Sequence, residues 1–213
     1  MAGYQVFSGN CCQMAIHGNG DAAIDNIIKA FEKAQLKYPV SDPRLILIHA
    51  QMTRHDQIKK MKQLGITPSF FPGHTFYWGD QHYSQHMGPI RAENMSPTGW
   101  AARNQLRFSV HSDAPVTPVD PIHLLWNSVN RTSMSGRVIG KYQRISVLQA
   151  LRAMTIDAAW QIFQENNRGS IEVGKFADLV VLSENPLVIT NLKNIQILQT
   201  VVGGKAIYKR KIF

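Results

Sequence analysis

Cysteine is nearly absent. The two present, Cys11 and Cys12, are adjacent, which suits neither an ordinary disulfide framework nor a four-cysteine zinc site and points to a reducing compartment. No apolar run reaches about 18 residues and the start lacks a signal-peptide pattern, so a soluble, cytoplasmic protein without a membrane partner is expected. Charge is sparse at 17% of residues, and no segment is of low complexity. With 44% hydrophobic residues, this composition describes a globular chain with a sizeable core and excludes a disordered one. Acidic residues are the scarcer sign, 14 against 23 basic, for a net charge of +9. The basic excess is scattered, clustering only at Tyr208-Lys209-Arg210-Lys211. A nucleic-acid footprint is gathered on one face, so no nucleic-acid partner is expected.

What is present is an alternation of strand-like and helix-like segments. Gln13-Met14-Ala15-Ile16 is a short apolar run ending in His17, and Gly18-Asn19-Gly20 turns the chain into Asp21–Phe31, where Ile24, Ile27, Ile28 and Phe31 recur at helical spacing. Asp21 is placed to cap that helix, and Pro39 lies beyond its end. Leu45-Ile46-Leu47-Ile48 is a fully apolar strand ending in His49; Thr53 then caps Arg54 to Leu64, and Gly65 stops it. Ile66–Phe71 leads into Pro72-Gly73-His74, and Leu106–Val110 into His111-Ser112-Asp113-Ala114-Pro115. His17, His49, His74 and Asp113 fall 32, 25 and 39 positions apart, intervals that fit βα units with one polar group at the end of each strand.

Between His74 and Leu106 the chain is aromatic and punctuated by Gly and Pro, with short helical pieces and the pair His82-x-x-x-His86. This stretch reads as a lid or substrate wall, and the pair as solvent-facing or part of that lid, because the Glu of a zincin motif is missing. Pro121–Arg131 reads as a helix, Ser146-x-x-Gln149 as a capping box opening Val147–Met154, and Thr155 as the cap of a last helix through Phe163. From about residue 167 the texture changes. Gly169–Leu182 reads as strand, turn, strand, and Leu198–Tyr208 as a hairpin turning at Gly203-Gly204. The expected organisation is one α/β unit over 1–166 and the start of a small antiparallel sheet over 167–213.

An acid at the carboxyl end of a strand faces the place where α/β enzymes keep their chemistry. Two imidazoles and a carboxylate at the ends of neighbouring parallel strands can converge on one divalent metal, and neutral His nitrogens with a carboxylate oxygen suit Zn²⁺, with Mn²⁺ or Fe²⁺ as alternatives.

Five motifs occur in order: His17-Gly18-Asn19-Gly20-Asp21, Ile48-His49-Ala50-Gln51, Phe70-Phe71-Pro72-Gly73-His74-Thr75-Phe76-Tyr77-Trp78-Gly79-Asp80, Ser112-Asp113-Ala114-Pro115, and Gly169–Leu179. Together they resemble the metal-dependent amidohydrolase superfamily, in the branch of the N-substituted formamide deformylases. The resemblance covers essentially the whole chain. It implies the carboxyl-terminal half of a (β/α)₈ TIM-like barrel, strands five to eight, followed by the closing strands of a small β-sandwich. It further implies that His17, His49 and Asp113 bind one or two divalent ions and that Asp113 moves the proton in hydrolysis of a C–N bond. His74 and the loop carrying Tyr77 and Trp78 would meet a small amide or formamide substrate. The family's His-x-His pair and bridging Lys have no counterpart, since no two of the eight histidines are two positions apart. A barrel of this kind takes about 250 residues, and the chain has 213. A piece of a longer reading frame is therefore expected. The competing expectations are a truncated, inactive gene product, a half that pairs with another half or a second copy, and a non-catalytic scaffold or binding protein.

Overall fold

The computed structural model describes residues 13–211. The adjacent Cys11 and Cys12 lie outside the described residues. Four strands, β1 (Ala15–Gly18), β2 (Leu45–His49), β3 (Ile66–Phe70) and β4 (Ser109–Val110), form one parallel sheet in sequential order. Register aligns His17 with Ile48, His49 with Phe70, and Phe70 with Val110, so the carboxyl ends of all four strands open on the same side. Helices cover this sheet because their apolar residues recur on one face: α1 (Asp21–Lys37) buries Ile24, Ile28 and Phe31, and α2 (His55–Leu64) buries Ile58 and Met61. These side chains, with Leu47, Ile66 and Phe70, make the centre of the core.

Several helix ends sit one residue away from where the sequence put them. Gly20, not Asp21, is the residue before α1, and the Asp21 carboxylate accepts from the neighbouring Ala22 N–H and, at 3.4 Å, from Arg91 Nη2. Arg54 precedes α2, its N–H donating to Gln57 Oε1 at 2.8 Å, while Thr53 donates its hydroxyl back to Ala50 O. Gly65 ends α2 in the left-handed conformation, φ 68°, where its missing Cβ removes the penalty.

The segment between β3 and β4 is a run of short helices, α3 (Gly73–Tyr77), α4 (Gly79–Gln81), a π-turn over His82–His86, α5 (Gly88–Ala92) and α6 (Thr98–Arg103). It is tied to the strand ends: Ser96 N–H donates to Gln51 O (2.7 Å) and Ser96 Oγ to Phe71 O (3.2 Å). The fully buried Arg131 reinforces this, its guanidinium donating to Met95 O (2.6 Å), Ser96 O (2.9 Å) and Ile139 O (2.8 Å). Gly140, at φ 62°, lets the following turn press against this wall; a Cβ there would come within 1.8 Å of Glu93 O. Gly140→Ala combines left-handed strain with a backbone clash and is expected to cost about 3 kcal/mol. A urea-unfolding curve indistinguishable from the parent's would contradict that packing.

After β4, α7 (Pro121–Asn130) begins at Asp120, whose carboxylate accepts from His123 N–H. Next, α8 (Val147–Met154) begins with the expected Ser146–Gln149 capping box. The last helix, α9 (Ile156–Gln161), stops before Phe163, since that residue takes φ 57° and cannot continue a right-handed helix. A second, antiparallel sheet follows, β5 (Leu179–Leu182), β6 (Ile197–Val202) and β7 (Lys205–Lys209), turning at Gly203-Gly204 as expected. The strand anticipated just after Gly169 does not form. Among the described residues no strand pairs with it, and Ile171 and Val173 are fully exposed. Leu192 and Ile195 join the main core beside Leu125 of α7, anchoring the second sheet's connection to the first unit. Among the described residues, no helix is long and apolar enough to cross a membrane.

Candidate metal centre

The carboxyl ends of β1 to β4 bring histidines from distant positions into one cluster. His49, the last residue of β2, is buried, and its ring centroid lies 4.7 Å from that of His17 on β1, 5.0 Å from His111 and 5.8 Å from His74. His17 itself is exposed at the sheet's edge. His74 enters from the first turn of α3 and packs at a tilt against Phe71, ring centroids 4.6 Å apart. Asp113 follows β4. His49, His111 and Asp113 each offer a donor atom within 4.8 Å of the others'. His17 stands outside that tightest group, in edge-on contact with His49.

The backbone is bent to achieve this. His49, Ala50 and Asp113 take φ of 68°, 49° and 56°, left-handed values that cost a non-glycine residue about 1–2 kcal/mol each. They turn the chain sharply as it leaves the strands.

The electrostatics favour uncharged imidazoles. Burial pushes His74 down to about 3, helped by the neighbouring rings of His49, His82, His111 and His17. Burial, with His49 beside it, takes His111 to about 4 against the pull of Asp113. His49 is also lowered, chiefly by burial, although Asp113 acts in the opposite direction. The rings are therefore neutral donors at pH 7, and His74 Nδ1 is buried with no hydrogen-bond partner among the described residues. Neutral imidazole nitrogens grouped with a carboxylate are a donor set that fits a divalent ion.

Of the aromatic residues expected to meet substrate, Trp78 reaches the cluster, 6.0 Å from His74 and 6.1 Å from Phe71. Tyr77 is bracketed by Phe76, Trp78 and His123. His82 is half-buried: its Nε2 lies 3.2 Å from Gln51 Nε2, and its ring is 5.7 Å from that of His86. Sequence reasoning gave no role to His111 or Ser69. His111 carried a usable signal, since it stands directly after the strand-like Leu106–Val110, at the carboxyl end where α/β folds gather their polar groups. Ser69, inside an apolar strand, carried none.

The parallel sheet, the grouped donors at its carboxyl edge and the small antiparallel sheet after it define a metal-dependent hydrolase fold. The chain belongs to the amidohydrolase family, whose model matches residues 10–208. It is 31% identical over 205 residues to the N-substituted formamide deformylase of Arthrobacter pascens, covering 92% of this chain and 36% of that protein. It is 32% identical over 199 residues to the protein LONG AFTER FAR-RED 3 of Arabidopsis thaliana, covering 92% and 34%. A crystal structure of an uncharacterised metal-dependent hydrolase from Pyrococcus furiosus superposes with a TM-score of 0.68 at 26% identity, over 81% of this chain and 34% of that one. The chain thus spans about a third of the length of the curated relatives it matches, and its four parallel strands correspond to the carboxyl-terminal half of the family's barrel.

Proposed function

We propose that this chain supplies the acid/base and part of the metal centre of a hydrolase that cleaves a C–N bond in a small amide or formamide. The observation that carries this reading is the meeting of His49 and Asp113, whose donor atoms lie within 4.8 Å of each other, with His17, whose ring lies 4.7 Å from that of His49, at the carboxyl edge of a parallel sheet. His17, His49 and Asp113 are the residues we assign to hold the ion, with Zn²⁺ the expected metal and His111 adjoining them. When bound, a divalent ion there supplies Lewis acidity, acidifying water and polarising a carbonyl. Asp113 takes the proton from the attacking water and returns it to the leaving nitrogen. His74, its Nδ1 unpartnered, can donate to or accept from the substrate. Trp78 offers an aromatic wall and Tyr77 backs it. The name of the Arthrobacter relative supports the formamide class. We set the division between a barrel unit and a sheet unit at residue 167 and assign the remaining barrel strands to further chain or to a second copy.

Elemental analysis on protein from a sizing column tests this, with His49→Ala and Asp113→Asn beside the parent. Stoichiometric metal in the parent that disappears in His49→Ala, with formamide turnover lost in Asp113→Asn, is the expected result. A folded, monodisperse parent that takes up no metal would sink the reading.

A further inference from the structure

Beneath the site, buried polar side chains form a chain of hydrogen bonds whose direction can be worked out atom by atom. Gln161, at the end of α9, places its Nε2 3.0 Å from Pro68 O. A carbonyl only accepts, so this end of the amide is the NH₂ and the other is the carbonyl Oε1. That Oε1 lies 2.5 Å from Ser109 Oγ. The amide oxygen has no proton to give, so the Ser109 hydroxyl donates its only one there. Ser69 Oγ, 2.9 Å from Ser109 Oγ, must then be the donor between the two serines. With its proton committed, Ser69 Oγ can only accept from His111 Nδ1, 2.9 Å away. A neutral His111 carries one N–H, so its Nε2 is a bare lone pair. Across 3.0 Å it accepts from His49 Nδ1, and His49 is left presenting an unprotonated Nε2. Ser69, Ser109 and Gln161 are all buried, so water does not compete for these bonds.

We infer that Ser69, Ser109 and Gln161 are positioning residues that fix the tautomers of His111 and, through it, His49. His49 then offers Nε2 to the ion, and His111 serves as the acceptor that orients His49 rather than as a ligand. The use of this relay rests on the proposed metal centre; the tautomers themselves need no ion. Partners of this kind set which nitrogen a ligating histidine presents, and losing one typically costs 10–100-fold in metal affinity.

The test is the imidazole tautomer, read by long-range ¹H–¹⁵N correlation spectra of the ¹⁵N-labelled, metal-free 213-residue chain at neutral pH. His111 and His49 are both expected as Nδ1–H forms, and an Nε2–H form at either would overturn the relay. Ser69→Ala is expected to convert His111 to a tautomer mixture and to weaken Zn²⁺ binding about 10–100-fold, with Ser69→Thr restoring both. A fixed Nδ1–H His111 in Ser69→Ala would also overturn it. Because the parent's spectrum decides the direction, the test survives a variant that fails to fold. Both Nδ1–H forms without any Zn²⁺ uptake would sustain the relay and sink the hydrolase reading, whereas Zn²⁺ uptake with a reversed tautomer would do the opposite.

Discussion

Metal-free protein is expected to lose about 4 kcal/mol of stability between about pH 7 and about pH 5. The cause is the pair His74 and His111, held by burial at about 3 and about 4 in the fold, against about 6.5 for an unfolded chain. Below about 6.5 the unfolded state takes up at least two protons that the folded state refuses, and His49, His82 and His123, also lowered by burial, act in the same direction, so stability falls as pH falls. The slope from this pair approaches two protons, about 3 kcal/mol per pH unit. It flattens only near the folded values, where the buried rings finally charge. Carboxylates held low, such as Asp25 beside Arg54 and Gln57, act in the same direction but only below about pH 4. A typical domain has about 5–15 kcal/mol in total, so the effect is decisive. Urea titrations at several pH values measure it, with His74→Gln expected to remove about half the slope. Stability independent of pH over this range would show that the cluster is wet and open.

Arg131→Ala is expected to destabilise the protein by at least about 4 kcal/mol. The guanidinium is fully buried and its charge is satisfied by three carbonyls, of Met95, Ser96 and Ile139. Truncation leaves Met95 O and Ile139 O as buried acceptors without donors, at about 1–3 kcal/mol each, leaves Ser96 O with the Thr98 N–H alone, and opens a cavity. Damage would reach the site, because Ser96 is the point where the wall is fastened to Gln51 after β2 and to Phe71 after β3. Arg131→Lys should recover only part of the loss, since an ammonium cannot match the planar fork that spans those acceptors. Equilibrium unfolding gives the magnitude and near-ultraviolet dichroism the loss of aromatic packing. A change under about 1 kcal/mol for Arg131→Ala would contradict this account.

The parts legible in the sequence are those decided within a few residues. The all-apolar Leu45–Ile48, flanked by helix-period segments, gave away a buried parallel strand, and Ser146 with Gln149 gave the start of α8. Strand ends could be located because His17, His49 and Asp113 mark them. The parts that stayed hidden depend on neighbours far along the chain. Leu106 and Phe108 look like strand, and they are buried, but only Ser109 and Val110 find register with β3. The segment after Gly169 has the alternation of a strand and no partner among the described residues. His111 gains its meaning from Ser69 and His49, which lie 42 and 62 positions away. Arg131 reads as an ordinary surface cation until the carbonyls of another loop close over it.

The proposed ligands come one each from the first, second and fourth strands of the sheet. During synthesis, two imidazoles therefore leave the ribosome well before the carboxylate that joins them. From His49 to Asp113 the delay is about 3 to 13 seconds at the usual pace of translation. Through that interval the two imidazoles are without the carboxylate that completes the proposed set. On the proposed assignment, the order of the strands makes the arrival of Asp113 the moment at which a carboxylate oxygen joins the imidazole nitrogens.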